Sequence, residues 1–256
     1  SLVTSSDASC NGGCDGTATV TATGGVPGYT YLWDAAAGSQ TTETATGLCA
    51  GVYEVSATDA NGCIGTFNVT ISEPATAVVA SAIVTSNYNG AQVSCIGASD
   101  GQATASAVGG TGTYTYVWTT GAITDTLDGV PAGTYCVTVS DANGCSDVVC
   151  VTITEPTQVT ATITTTTDVS CLGDSTGSAT VMGAGGTGTY TYLWEASAGG
   201  QTTATAINLA SGSYDVTVED NTTGCIDEVT FTLNDDTTPT VVTIGTFDGV
   251  HIGHQK

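Results

Sequence analysis

Tandem immunoglobulin-like β-sandwich modules, all-β and stapled by disulfides, are what this sequence predicts, on three observations. The composition is that of strands and turns, the cysteines are numerous and even in number, and one pattern recurs three times along the chain. The 256 residues include 34 Gly and 52 Thr, while charged residues are 10% and the long helix formers Lys, Arg and Met are nearly absent. Such a mixture favours strands over helices. A hydrophobic fraction of 40% is enough for packed cores. No apolar run approaches the roughly 18 residues that a membrane helix needs, so membrane insertion is not expected.

Ten cysteines without zinc-type Cys-x-x-Cys pairs point to disulfides and an oxidising compartment. An extracellular, cell-surface location is the expectation, and the absence of a signal peptide at Ser1 reads as a mature or excised fragment. Twenty-four acidic residues face one basic residue, Lys256, for a formal charge of -23. Binding to nucleic acid works through Lys and Arg that displace counterions, and this chain has no Arg. Nucleic acid is therefore excluded as a partner.

The first block runs Cys10, Asp15-Gly16, Gly24-Gly25, Tyr29-Thr30-Tyr31-Leu32-Trp33, Gly51-Val52-Tyr53, Asp59-Ala60-Asn61-Gly62-Cys63 and Glu73-Pro74. The second has Cys95, Asp100-Gly101, Gly109-Gly110, Tyr114 to Trp118, Gly133-Thr134-Tyr135, Asp141 to Cys145 and Glu155-Pro156. The third has Cys171, Gly185-Gly186, Tyr190 to Trp194, Gly212-Ser213-Tyr214 and Cys225. Each Glu-Pro reads as a domain edge, because Pro cannot continue a central ladder. The resulting division is 1–74, 75–156 and 157–236, with a tail at 237–256. The first block has only Ser1 to Ser9 before its cysteine, so its opening strand is expected to be short of most of its length.

Alternation assigns the faces of the strands. Tyr135, Val137 and Val139 point inward, as do Val149, Val151 and Ile153, which leaves Cys136 and Cys150 outward on strands joined by the Asn143-Gly144 turn. A cross-strand bond between those two is expected. Cys14 and Cys49 form a second pair private to the first block, since Ser99 and Pro131 stand there in the second. The staple common to all blocks is expected between block start and hairpin: Cys10 with Cys63, Cys95 with Cys145, Cys171 with Cys225.

These residues and their order resemble the SprB repeat of very large surface adhesins in gliding bacteria, over residues 1 to about 235. The resemblance implies tandem arrays on the cell surface and a role in adhesion or gliding motility, and it brings no catalytic residue. The third block departs from the hairpin pattern with Asp220-Asn221-Thr222-Thr223-Gly224-Cys225, so its turn is expected to be longer.

Tyr29, Tyr31 and Trp33 share one strand face, as do Tyr114, Tyr116 and Trp118, and Tyr190, Tyr192 and Trp194. Such a row is either a buried core beside a disulfide or a platform for sugar rings, which makes these nine the candidate glycan contacts and a surface polysaccharide a candidate partner. Asp59-x-Asn61-Gly62 and Asp141-x-Asn143-Gly144 look like the start of a calcium loop, but the Gly comes too early and the bidentate Glu is missing. They read as hairpin turns, with at most loosely held surface Ca2+ and no other cofactor. No triad or zinc constellation can be assembled within the repeats, where there is no His, so no enzyme is expected. Lys-Asn cross-links are excluded there because the repeats contain no Lys.

In the tail, Thr243 to His254 resembles the HxGH signature of flavin-nucleotide adenylyltransferases, yet the chain ends two residues later. A remnant of a nucleotidyltransferase fusion is the distant alternative to a surface module, and a carbohydrate-binding surface protein the nearer one. Pro239-Thr240-Val241-Val242-Thr243-Ile244 mirrors Pro156-Thr157-Gln158-Val159-Thr160-Ala161. A spare opening strand within 239–250 could thus join another copy head to tail as a filament.

Overall fold

A computed structural model describes residues 2–235. In the first repeat the strands are β1 (Leu2–Ser6), β2 (Gly16–Thr21), β3 (Thr30–Trp33), β4 (Thr44–Leu48), β5 (Gly51–Thr58) and β6 (Ile64–Ile71). The second has β7 (Val79–Val84), β8 (Gly101–Val108), β9 (Thr115–Trp118), β10 (Thr126–Val130), β11 (Gly133–Ser140) and β12 (Ser146–Ile153). The third has β13 (Thr160–Thr167), β14 (Gly177–Ala184), β15 (Tyr190–Trp194), β16 (Thr205–Leu209), β17 (Gly212–Asp220) and β18 (Ile226–Leu233), with a short 3-10 turn at Ala196–Ala198.

Each repeat is a sandwich of two three-stranded sheets, ordered β1-β2-β4 and β3-β5-β6 in the first, and in the same way in the other two. Strands three and four lie in different sheets although consecutive in the chain, the crossing that gives an immunoglobulin-like sandwich. By contacts the described chain divides into two units. One joins residues 1–85 with 102–153 and holds the first two sandwiches. The other joins 86–101 with the chain from 154 onward and holds the third.

The sequence explains the cores. Period-two alternation sends Ala18 and Val20 inward from β2, Ala103 and Ala105 from β8, and Ala179 and Val181 from β14. These small residues leave room for the indole that ends the third strand of each repeat, Trp33, Trp118 or Trp194, each no more than 2% exposed. Each buried indole N–H is satisfied by a backbone carbonyl, of Thr42 (2.9 Å), Thr124 (2.9 Å) or Thr203 (2.8 Å). In the third repeat Phe231 lies edge-on to Trp194 and stacked on Tyr214, with ring centres 5.7 Å apart in both cases.

The Gly-x-Tyr motif sets a corner. Tyr53, Tyr135 and Tyr214 donate their hydroxyls to the carbonyls of Cys49, Pro131 and Ala210, four residues upstream, at 2.9, 2.8 and 2.9 Å. This is the tyrosine corner of immunoglobulin-like sandwiches, and it ties the strand to the loop that precedes it.

The opening strand of the first repeat is the shortest of the three, five residues against six in β7 and eight in β13, but it does not lack most of its length. β1 pairs antiparallel with β2 from Leu2↔Thr21 to Ser6↔Thr17, five residue pairs against six for β7 with β8. Ser5 and Ser6 are turn formers by composition, but the ladder to β2 and a 2.8 Å hydrogen bond between the Ser6 and Thr17 hydroxyls hold them extended.

Candidate functional site: the seam between successive repeats

At one end of each sandwich a buried carboxylate gathers two segments, its own hairpin turn and the Gly-Gly turn. Asp59 Oδ1 accepts the N–H groups of Asn61 (3.0 Å) and Cys63 (2.8 Å), while its Oδ2 accepts that of Val26 (3.0 Å). Asp141 does the same with Asn143 (2.9 Å), Cys145 (2.9 Å) and Thr111 (2.8 Å). Asp220 accepts from Thr222 (2.9 Å) and Thr223 (3.3 Å) and takes both the N–H and hydroxyl of Thr187. All three carboxyls lie below the usual range. The Val26 and Cys63 N–H groups lead at Asp59. At Asp141 and Asp220 burial opposes the charge, but the donors outweigh it, and Asp220 is held down to about 2.

These bonds explain the second glycine of each Gly-Gly. Gly25, Gly110 and Gly186 have φ of 68°, 62° and 54°, and a Cβ there would stand 2.5, 2.5 and 2.4 Å from the aspartate Oδ2. Only glycine combines that backbone with that approach. The Asp-x-Asn-Gly segments are therefore hairpin turns closed on their own aspartate, whose oxygens are engaged by backbone donors. Among the described residues no group of three or more His, Cys, Asp or Glu is placed to hold a metal. The structural role of the aspartates was missed from sequence, although their pairing with Gly-Gly in every block was the available signal.

The Glu-Pro linker carries the chain into the next sandwich. Thr76 O accepts the N–H of Gly110 (3.0 Å) and Thr157 O that of Gly186 (2.9 Å). Val78 and Val159, two residues on, are buried against those glycines. Behind the linker the opening loop folds back onto it: Gly12 N–H donates to Glu73 at 2.5 Å, and Gly97 N–H to Glu155 at 3.0 Å. Each opening cysteine begins the same turn, with the carbonyls of Cys10, Cys95 and Cys171 accepting from Gly13, Ala98 and Asp174 at 2.9, 3.0 and 3.0 Å.

This arrangement overturns the expected common staple. Cys10 is bonded to Cys145 and Cys95 to Cys225, so the opening cysteine of one repeat is joined to the hairpin cysteine of the next. Cys63 and Cys171 are exposed free thiols, and the pairs Cys10 with Cys63, Cys95 with Cys145 and Cys171 with Cys225 do not form. The physical reason is the length of the sandwich. Within a repeat the opening loop follows the first strand and sits at the opposite end from the hairpin, but the linker brings that loop against the hairpin of the following repeat. The Cys145 sulfur lies 3.3 Å from the Ser9 carbonyl, and the Cys225 sulfur 3.1 Å from that of Ser94. The remaining bonds are Cys14–Cys49, and Cys136–Cys150 across directly paired positions of β11 and β12.

The aromatic rows face the core. With Trp33, Trp118 and Trp194 buried, no indole offers a face to a sugar ring. Tyr29, Tyr31, Tyr114, Tyr116, Tyr190 and Tyr192 are half-buried. Tyr29, Tyr114 and Tyr190 donate their hydroxyls to the first glycine of each Gly-Gly, namely Gly24, Gly109 and Gly185. Burial therefore removes Trp33, Trp118 and Trp194 from the candidate glycan contacts. The HxGH-like segment and the spare strand at 239–250 lie outside the described residues. No helix among those described is long and apolar enough to cross a membrane.

The SprB repeat family model matches three times, at residues 2–38, 87–123 and 163–199. No curated protein sequence matches significantly. Among solved structures, the three N-terminal domains of the highly immunogenic outer capsid protein (Hoc) of bacteriophage RB49 are 15% identical, with a TM-score of 0.36 over 90% of this chain and 95% of that one. Invasin, a bacterial integrin-binding protein, is 16% identical, with a TM-score of 0.31 over 92% of this chain and 60% of that one. Immunoglobulin domains 1–5 of Sidekick-1 are 13% identical, with a TM-score of 0.25 over 82% of this chain and 54% of that one.

Proposed function

We propose that this chain, which the SprB repeat family model matches three times, is a non-catalytic structural and adhesive module of a bacterial cell-surface adhesin or filament, acting in adhesion or gliding. The observation that carries the reading is the covalent seam. Cys10–Cys145 and Cys95–Cys225 bolt each repeat to its successor, and such bonds persist in the oxidising conditions outside the cell. A pull along the chain is transmitted across each seam by a disulfide as well as by the linker. A surface fibre under load needs that property.

Pulling the chain from its two ends in a single-molecule force instrument, with and without reductant, tests the mechanical part. Unreduced protein is expected to extend by much less than its full contour, because the residues closed behind each bond stay out of the force path. Equal extension in both conditions overturns the reading. Antibody labelling of intact source cells, with an attachment assay on cells lacking the protein, tests the surface role. Absence of label from the outer surface refutes it.

A further inference from the structure

We propose that the array withstands cleavage of its own backbone: the two seam bonds interlace, so that an endoprotease cutting anywhere between Cys10 and Cys225 leaves one covalent body. The inference stands on which cysteines are bonded and on how the linkers are pinned, and does not depend on the surface role.

The order of the bonded residues along the chain carries it. Cys95 lies inside the loop closed by Cys10–Cys145, and Cys145 lies inside the loop closed by Cys95–Cys225. Every peptide bond from 10 to 225 is therefore spanned by at least one disulfide, and those from 95 to 145 by both. Bonds closed within each repeat would leave the linkers unspanned, and one cut there would divide the chain. Interlacing also outlasts a second cut. A chain cut in both linkers becomes three pieces, holding Cys10, then Cys95 with Cys145, then Cys225, and the two bonds string all three together. No two cuts between Cys10 and Cys225 separate the ends.

The linkers are where this tolerance counts, because proteases nick exposed segments first. Ala75 and Thr76 are exposed in one linker, and Thr157 and Gln158 in the other. Each linker is also fastened on both sides of such a cut. In the first, the Ser72 N–H donates to Asp7 Oδ1 at 2.8 Å, the Ser72 carbonyl accepts the N–H of Ala8 at 2.9 Å, and that of Pro74 accepts Asn11 Nδ2 at 2.9 Å. Downstream, the Gly110 N–H holds the Thr76 carbonyl and Val78 is buried. In the second, the Thr154 N–H donates to Gln92 Oε1 at 2.7 Å and its carbonyl accepts the Gln92 N–H at 3.1 Å. Downstream, the Gly186 N–H holds the Thr157 carbonyl and Val159 is buried. A cut between these anchors frees neither stump. The upstream stump stays on an opening loop whose cysteine is bonded to the next repeat.

The test uses the chain's own composition. Lys256 is its sole Lys or Arg, so trypsin has no internal site and each introduced arginine defines one cut. Ala75→Arg, Thr157→Arg and the double variant are alkylated to stop thiol exchange. They are then digested in mild denaturant until the reduced lane shows complete cleavage, and run on denaturing gels with and without reductant. Each single variant is expected to give two fragments reduced and one body unreduced, and the double variant three fragments and one body. Adding Thr120→Arg, at an exposed position beyond Trp118, makes three cuts that interlacing does not survive. Unreduced, that chain should part into two bodies, 1–75 bonded to 121–157 and 76–120 bonded to 158–256. Cys10→Ser/Cys145→Ser in the Ala75→Arg chain should part at its single cut. A singly cut chain pulled from its ends should hold until reductant is added. Release of a fragment from either single variant or from the double variant without reductant overturns the proposal, as does any other pairing of fragments from the triple variant.

Discussion

Cys10 and Cys145, 135 residues apart in sequence, stand 5.6 Å apart at Cα and are bonded, so the first repeat is tied covalently to the hairpin of the second. The bond runs beside the linker it reinforces, and Cys95–Cys225 repeats it with a separation of 130 and the same Cα distance. Peptide mapping of unreduced monomer is expected to find these two links together with Cys14–Cys49 and Cys136–Cys150, and two thiols open to alkylation at Cys63 and Cys171. A link between Cys10 and Cys63 would contradict the seam.

Loop length ranks the bonds. Closing some 130 residues is worth about 5 kcal/mol by loop-closure entropy, against about 3 kcal/mol for the 14-residue separation of Cys136 and Cys150. Denaturant unfolding of Cys95→Ser/Cys225→Ser should therefore show the larger loss, and Cys136→Ser/Cys150→Ser the smaller. The reverse order would mean that the seam is strained or that the unfolded chain is already compact there.

Gly110 and Gly144 separate backbone strain from crowding. Both have positive φ, 62° and 86°, but a Cβ on Gly144 meets nothing within 4 Å, while one on Gly110 lies 2.5 Å from Asp141 Oδ2 and 2.6 Å from Val78 Cγ2. Gly144→Ala should cost about 1 kcal/mol for the left-handed conformation alone. Gly110→Ala should cost roughly 1–3 kcal/mol more, because the aspartate and the linker valine must both move. Equal losses by thermal unfolding would remove the Gly-Gly turn from the seam.

The buried indoles give a direct contrast with their exposed neighbours. Trp118→Ala should destabilise by roughly 3–5 kcal/mol, whereas Val117→Thr, at a side chain 53% exposed, should stay within about 0.5 kcal/mol. Chemical denaturation of the two variants decides it, and a near-neutral Trp118→Ala would restore the surface-platform reading.

Acid should loosen the hairpin ends. The folded carboxyl of Asp220 lies at about 2, below its ordinary 3.8. Its contribution is therefore complete above the unfolded value and is lost as pH falls through the folded one. The melting temperature should drop between about pH 4 and pH 2, and Asp220→Asn, less stable at neutral pH, should show a shallower drop over that window. Parallel curves for the two proteins would show that the carboxylate is not the group being titrated.

Composition, alternation and the threefold pattern by themselves determined the all-β repeats and the turn at Asn143-Gly144, because these depend on neighbours close in sequence, whereas the burial of the Trp-ended strand was decided by the packing of the two sheets. The outward pair Cys136 and Cys150 was legible for the same reason: hairpin register follows from a turn and a period of two. The partners of Cys10 and Cys95 were not legible. Block alignment shows that an opening and a hairpin cysteine recur together, but it is equally satisfied by pairing within a repeat or across a seam. Only the tertiary structure decided between them, because the bonding depends on which end of the sandwich each loop occupies and on where the linker delivers the next hairpin. The aspartates Asp59, Asp141 and Asp220 were hidden for a related reason. Their N–H donors at Val26, Thr111 and Thr187 are some 30 residues away in sequence, so a turn motif shows the carboxylate but not what it holds.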